Sequence, residues 1–492
     1  MQFATSRGFR YTAVPQRKAA MTISNALSKH PEGSLRQLWS ISLPLMISTL
    51  ASLFMIFTDR IFLAHYSFNA FNAATTSGTI AWAFMAGFSM ITAMSEVFVA
   101  QYNGAKLFEK LGTPVWQMIW VSLFSFAFFI PMGLWGGSVI FSGDLYADLE
   151  ISYFRWLMFF GPSVALMTAF SGFFIGRGKT SVLIWLAIGA NAINIALDWA
   201  LIFGIPGILP EFGIEGAAIA TCIGYFFQAA ILALLFFRKL NRDQFGTNRW
   251  RLNWPEMKKC FRVGVPQGVF CTLEIIGWAL FYWLMTRISE HHITISSICQ
   301  SFVILFSFFY DGLSRGASAV AGNLIGAGKH HLVSKVLRGG VSLLALFSLT
   351  TAIFLVIDPK DTTQLLFFHH LDSAAVTVSP QFESGLATCL IYSFVFLFFE
   401  GCRWLLSGLL VAAGDTLFLL IAGPLTVWVF LILPIYLFVV RWSLPVEFAW
   451  LLTVVYSLLG LAIYWIRFRQ GAWQKIDLVK DRVKVAVKSE EA

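Results

Sequence analysis

The chain has 492 residues, of which 58% are hydrophobic and only 12% charged, with a mean hydropathy of +0.72. A soluble globular chain is about a quarter charged, so this composition excludes a soluble enzyme, a disordered protein and a nucleic-acid binder. The net charge of +9 does not restore a nucleic-acid partner, because no stretch is long and polar enough to form a basic soluble domain.

In chain order, residues 1–34 read as a basic, polar, disordered tail, within which Met21 offers a second start. The first apolar run begins too late and is too long for a cleaved signal peptide. A helix needs about 20 apolar residues to cross a bilayer. Twelve runs meet that need: Leu35–Ala64, Ser77–Ala100, Trp116–Gly136, Ser152–Ile175, Ser181–Phe203, Gly213–Phe237, Val263–Thr286, Ile293–Val320, Val336–Ile357, Gly385–Ala413, Thr416–Val440 and Pro445–Ile466. They are continuous rather than alternating, which excludes a β-barrel. The fold class is therefore an all-α polytopic membrane protein.

Lysine and arginine orient it. With the N-terminus inside, the outer loops hold Arg287, Lys360 and Arg441, and Arg60, Arg155, Arg315 and Arg403 stand within spans. All the others among the 35 fall in cytoplasmic segments. Both termini are thus expected in the cytoplasm, of a plasma membrane or, in a bacterium, the inner membrane. The basic balance is an orientation signal that also suits anionic lipid. The six cysteines show neither a CxxC pair nor framework spacing, so they read as small free hydrophobes, with Cys260 in a basic loop.

The chain repeats itself. Ile41-Ser-Leu-Pro44 is echoed by Val263-Gly-Val-Pro266, Val99–Lys106 by Val320–Lys329, and Ser171-Gly172 with Gly178-Lys179-Thr180 by Ser407-Gly408 with Gly414-Asp415-Thr416. The offset stays at about 222 to 236 residues, which divides the chain into two six-helix lobes, 35–237 and 263–466. A cytoplasmic linker loop, 238–262, joins them, and 467–492 form a second cytoplasmic tail. Six is even, so the repeats are parallel and enclose a central cavity, a geometry suited to alternating access. One copy of the chain suffices for it.

Ionisable groups in a span are costly and need a reason. Asp311 and Arg315 stand i,i+4 and Glu400 and Arg403 i,i+3, which predicts structural pairs. Glu96, near the cytoplasmic end of its span, is expected to snorkel or bond a loop. Asp59 and Arg60 are adjacent and point about 100° apart, so they do not pair. Glu274 and Asp198 have no basic neighbour on their helices. Asp198 has Asn194 one turn before it and Asn191 one turn further back, an oxygen set that suits Na⁺ or, on the carboxylate, a proton. The same residues read equally well as an internally satisfied polar network.

These segments together resemble the multidrug and toxic compound extrusion (MATE) transporters. The resemblance covers nearly all of Leu35–Ile466. It rests on Leu43-Pro44 through Asp59-Arg60, Val99–Lys106, Gly176–Asp198, Gly213–Thr221, Pro266 to Glu274, Gly316–Lys329, and Glu400 to Asp415-Thr416. It implies an N-lobe cation site of Asp59, Asn194, Asp198 and Thr221, able to take Na⁺ or H⁺, and C-lobe acids at Glu274 and Glu400 for cation or substrate. The tenth-helix acid is often Asp in this family, so Glu400 departs mildly from it. The C-lobe acids also set the chain apart from the DNA-damage-inducible branch. Residues 205–212 lengthen an outer loop and are not expected to disturb the site. Pro44 removes a backbone hydrogen bond and permits a kink of the first helix.

The expected function is cation-coupled export of small organic, cationic amphipathic compounds, with no cofactor beyond the coupling ion. Aromatic residues, 16% of the chain, offer cation–π walls. A lipid-linked oligosaccharide flippase is the alternative, on the strength of the four intramembrane arginines. A membrane transferase is less favoured. Prenyl transfer needs paired aspartates, of which Asn194xxxAsp198 supplies only one, and His291-His292, His330-His331 and His369-His370 fall in expected loops. Gly326-Ala-Gly-Lys329 has no preceding strand that would make it a phosphate loop.

Overall fold

A computed structural model describes residues 27–357 and 380–479. Met21, Lys360, the pair His369-His370, most of the expected N-terminal tail and half of the expected C-terminal one lie outside the described residues. Among the described residues, twelve helices are long and apolar enough to cross a membrane. They are α1 (Leu35–Tyr66), α2 (Phe68–Gly104), α3 (Phe108–Ile140), α4 (Ala147–Gly176), α5 (Ser181–Ile202) and α6 (Gly213–Phe236), then α7 (Trp254–Ile288), α8 (Glu290–Gly326), α9 (His330–Ile357), α10 (Phe382–Ala413), α11 (Thr416–Arg441) and α12 (Val446–Arg469).

Several helices outrun their apolar stretches, because hydropathy marks the lipid-facing length while hydrogen bonding and caps end the helix. α7 starts at Trp254, nine residues before the expected start of its span at Val263. Asn253 caps it, its side chain accepting from the Glu256 N–H. The linker itself holds a short helix, Lys239–Phe245, ended by Gly246 at φ +63°. Phe245 lies under the Arg177 guanidinium, 3.7 Å from ring centroid to Cζ, and burial pushes the Arg177 pKa down to about 10. Cys260 is accordingly buried in α7 rather than in a loop, and all six cysteines are free. His291 and His292 belong to the first turn of α8, capped by Ser289, not to a loop.

The lobes, α1–α6 and α7–α12, meet along two matched seams at the end that carries the basic loops. On one seam α1 packs against α8; on the other α2 packs against α7. Backbone approaches backbone there, and only glycine permits it. A Cβ on Gly316 would stand 2.0 Å from Ser42 Oγ and 2.8 Å from its Cα, and one on Gly312 would stand 2.5 Å from the Met46 nitrogen. A Cβ on Gly268 would stand 2.7 Å from the Gly87 carbonyl oxygen. Pro44 lies between Ser42 and Met46, and Pro266 between Gly264 and Gly268, so each proline sits on a seam. α1 is one helix across Pro44.

Between the seams, Asn103 and Asn323 join, Asn103 Nδ2 donating to Asn323 Oδ1 at 2.7 Å. Asn323 Nδ2 donates to the Gly176 carbonyl at 2.8 Å, and Gln101 Nε2 to that of Ala412 at 2.7 Å. Toward the other end the lobes part. The buried apolar cluster from Met55 to Tyr225 contains N-lobe residues alone, whereas the larger cluster runs through the seams and the C-lobe.

The seam also corrects a predicted ion pair. Arg315 does not turn to Asp311. Its Nη2 lies 3.5 Å from Oε2 of Glu96 on α2, and Asp311 Oδ2 accepts from the Thr49 hydroxyl of α1 at 3.0 Å. Helical spacing favoured the i,i+4 partner, but packing of α2 on α8 brings a buried carboxylate that needs a cation more. Glu96→Gln is expected to weaken the closed seam by on the order of 1 kcal/mol, since Arg315 is part-exposed. Faster amide exchange across residues 94–104 and 316–326 measures it; an unchanged rate removes the pair from the seam.

Candidate functional site

In the half of the N-lobe away from the basic loops, three helices bring four polar side chains together. Asp59 projects inward from α1 while its neighbour Arg60 is exposed. Asp198 and Asn194 present one face of α5, both fully buried. Thr221 comes from α6 and donates to Asp59 Oδ2 at 2.6 Å. Asp198 and Asn194 both lie beside Asp59. Gly224, one turn beyond Thr221, faces the same convergence: a methyl there would make ordinary contacts with Met55 Sδ at 3.7 Å and Asn194 Cβ at 3.9 Å. The lengthened loop before α6 folds back on itself, the Phe212 N–H donating to the Leu201 carbonyl at 2.9 Å, and leaves this convergence intact.

The cluster is polar, dry and incompletely bonded. Asp59 Oδ1, both oxygens of Asp198 and both polar atoms of Asn194 are buried without a hydrogen-bond partner. Buried polar atoms are normally paired, and each orphan asks for a reason. Two neighbouring carboxylates, an amide oxygen and a hydroxyl are hard ligands for a small monovalent cation, and either carboxylate can instead take a proton. Among the described residues no three His, Cys, Asp or Glu side chains form a group able to hold a metal ion. Asn191 is spent differently: its Nδ2 donates to the Ala187 carbonyl of its own helix at 2.8 Å.

The C-lobe acids also converge, but around a basic residue. Arg403 Nη2 lies 2.5 Å from Glu274 Oε1, and Arg403 Nε donates to Glu400 Oε2 at 2.9 Å. Arg403 Nη2 also donates to Glu400 Oε1. The expected i,i+3 pair is therefore present, and Glu274 is joined to it from α7. This changes the expected picture of two open acids, because both share the Arg403 guanidinium within the lobe. Tyr456 and Tyr464 of α12 complete the cluster, and local spacing gave no signal for either. Removing Arg403 leaves two buried carboxylates without a counter-charge. Arg403→Ala is expected to destabilise the lobe by about 3–5 kcal/mol, read as a lowered melting temperature of the purified protein; an unshifted melt overturns the burial argument.

Of the four intramembrane arginines, Arg315 and Arg403 are thus ion-paired to carboxylates. The histidine pairs offer no Asp-assisted cluster among the described residues. His292 Nδ1 bonds the Ser289 hydroxyl at 2.8 Å, and His291 packs edge-on to Phe382.

One family model, MatE, matches both lobes, at residues 44–200 and 269–437. The probable multidrug resistance protein NorM of Thermotoga maritima is 24% identical over 479 residues, covering 94% of this chain and 98% of that protein. The protein of the same description from Bradyrhizobium diazoefficiens is 27% identical over 408 residues, covering 79% and 83%. Among solved structures, an outward-facing multidrug resistance MATE family transporter of the MOP superfamily superposes with a TM-score of 0.78 at 16% identity, over 90% of this chain and 97% of that one. A MOP superfamily transporter from Pyrococcus furiosus, described as having a binding pocket of reverse polarity, superposes with a TM-score of 0.76 at 19% identity, over 90% and 97%.

Proposed function

The chain belongs to the MatE family, whose members are secondary transporters rather than enzymes, and from that premise we propose that it is a cation-coupled multidrug exporter working by alternating access. The observation that carries this reading is the set of five unpartnered polar atoms on Asp59, Asn194 and Asp198. The names of its relatives, probable multidrug resistance proteins, support drug-like small organic compounds as the substrate class, within which the proposal is for cationic amphipathic ones.

The basic end is the cytoplasmic one by the distribution of lysine and arginine, with both termini inside and the protein in the plasma membrane, or the inner membrane of a bacterium. The lobes then meet on the cytoplasmic side and part outward, the state that releases substrate. Two neighbouring carboxylates repel while no cation lies between them. Uptake of one Na⁺ or H⁺ from outside relieves that repulsion and draws α1, α5 and α6 together. The change reaches the cleft through α1, whose other half carries Pro44 and the seam with α8. Cation and drug thus favour different lobe arrangements, and each can move the equilibrium only by its differential affinity for them. A monomer is sufficient.

Purified protein in vesicles loaded with ethidium tests both coupling and substrate class. An imposed inward Na⁺ gradient, then an inward proton gradient alone, is expected to drive dye out in one case and not the other. For proton coupling the sign is fixed: acid outside and a more alkaline interior accelerate efflux, and the reverse gradient slows it. Dye movement under neither gradient removes the exporter reading. The flippase alternative predicts that outcome, but with Arg315 and Arg403 held by carboxylates, half its intramembrane arginines are already spent.

A further inference from the structure

The two polar sites of the lobes are built on the same plan, two carboxylates from different helices, yet they differ in how their charge is met. In the N-lobe every carboxylate oxygen but one is buried and unpartnered, and no cationic side chain enters the cluster. In the C-lobe Glu274 Oε1 and both oxygens of Glu400 accept from Arg403. Arg403 lies between them with its side chain 1% exposed. Trp404 Nε1 donates to Glu400 Oε1 at 3.0 Å, the Tyr456 hydroxyl to Glu274 Oε1 at 3.5 Å, and Arg403 Nη1 to the Tyr464 hydroxyl at 3.4 Å. The guanidinium carbon stands 5.4 Å from the Tyr464 ring and 5.8 Å from that of Tyr456, within cation–π range. Room for the arginine stem is provided across the bundle: a Cβ on Gly460 of α12 would lie 3.0 Å from Arg403 Cδ.

We propose that Arg403 is a tethered cation that fills the C-lobe acidic site, so that this lobe takes no metal cation and ion coupling runs through the N-lobe alone. Arginine remains charged at every pH a cell meets. A Na⁺ entering here has to displace a guanidinium bonded to both carboxylates and recover those contacts from nothing else, since the remaining donors are a tyrosine hydroxyl and an indole N–H. The C-lobe site is thereby closed to metal by a residue of the chain itself. Arg403 is the residue that sets which lobe is ion-selective. The inference bears on the coupling reading but is read out separately from it.

The test is ²²Na⁺ binding to the purified full-length protein, with Na⁺ as the probe. Arg403→Met, which keeps the length of the stem, frees Glu274 and Glu400 and is expected to gain about one Na⁺ equivalent over the unsubstituted protein, lost again in Arg403→Met/Glu274→Gln. A folded Arg403→Met protein that gains no Na⁺ overturns the proposal. Where Arg403→Met does not fold, Glu274→Gln in the otherwise unchanged chain decides, because Glu400 still pairs Arg403 there. Na⁺ affinity within about twofold of the parent supports the proposal, and a loss of about tenfold or more overturns it. Asp198→Asn tells the two readings apart. If it leaves the parent's cation binding intact, the N-lobe coupling reading falls, while the gain in Arg403→Met still reports on the C-lobe by itself.

Discussion

Vesicles carrying Asp59→Asn are expected to extrude no ethidium under either a Na⁺ or a proton gradient. The substitution keeps the size of the side chain and an oxygen that can still accept the Thr221 hydroxyl, now at 2.6 Å from Asp59 Oδ2. It removes one of the two charges on which the site depends. Truncating one partner of a buried charged contact costs on the order of 2–5 kcal/mol, roughly 30- to 5,000-fold in cation affinity. The folded protein should not suffer, because the substitution also removes the repulsion between Asp59 and Asp198. A melting temperature at or above the parent's, with dye efflux at the level of empty vesicles, is the combined signature. Efflux at the parent's rate sinks the assignment of Asp59.

Gly316→Val is expected to prevent closure of the seam between α1 and α8. A Cβ at this position stands 2.0 Å from Ser42 Oγ and 2.8 Å from Ser42 Cα, and the latter is backbone that no rotamer change relieves. Overpacking of this kind costs typically about 1–3 kcal/mol. The lobes of a transporter can part, so the strain is relieved by favouring the arrangement in which this seam is open. The population should shift toward it by roughly 5- to 150-fold. Spin-label distances across the seam on α1 and α8 should lengthen, and transport should fall because the release state is disfavoured. A parent-like distance distribution in a folded protein removes Gly316 from the closure.

Much of the site was legible because helical spacing is local. Asn194 and Asp198 are one turn apart, so they share a face whatever surrounds them. Asp59 and Arg60 cannot share one, and the first is buried while the second is exposed. Arg315 shows the limit of that reasoning. Its nearest acid along the chain is Asp311, yet it pairs with Glu96 from the other lobe. Glu274 shows the same limit. No basic residue lies near it in sequence, and its counter-charge, Arg403, comes from three helices further on.

The sequence by itself determined the membrane, the twelve spans, the repeat and the residues that would be expensive to bury. Each of these follows from hydropathy, residue spacing or charge count, quantities that need no knowledge of partners. Only the tertiary structure decided how the buried charges are met. It left the N-lobe carboxylates without a cation and gave the C-lobe pair one of its own. It also decided which end of the lobes is closed, through backbone contacts at glycines whose need is invisible until the opposite helix is in place. The physical reason is range: a helix periodicity acts over four residues, whereas charge compensation in a low-dielectric interior is settled by whichever groups packing brings together.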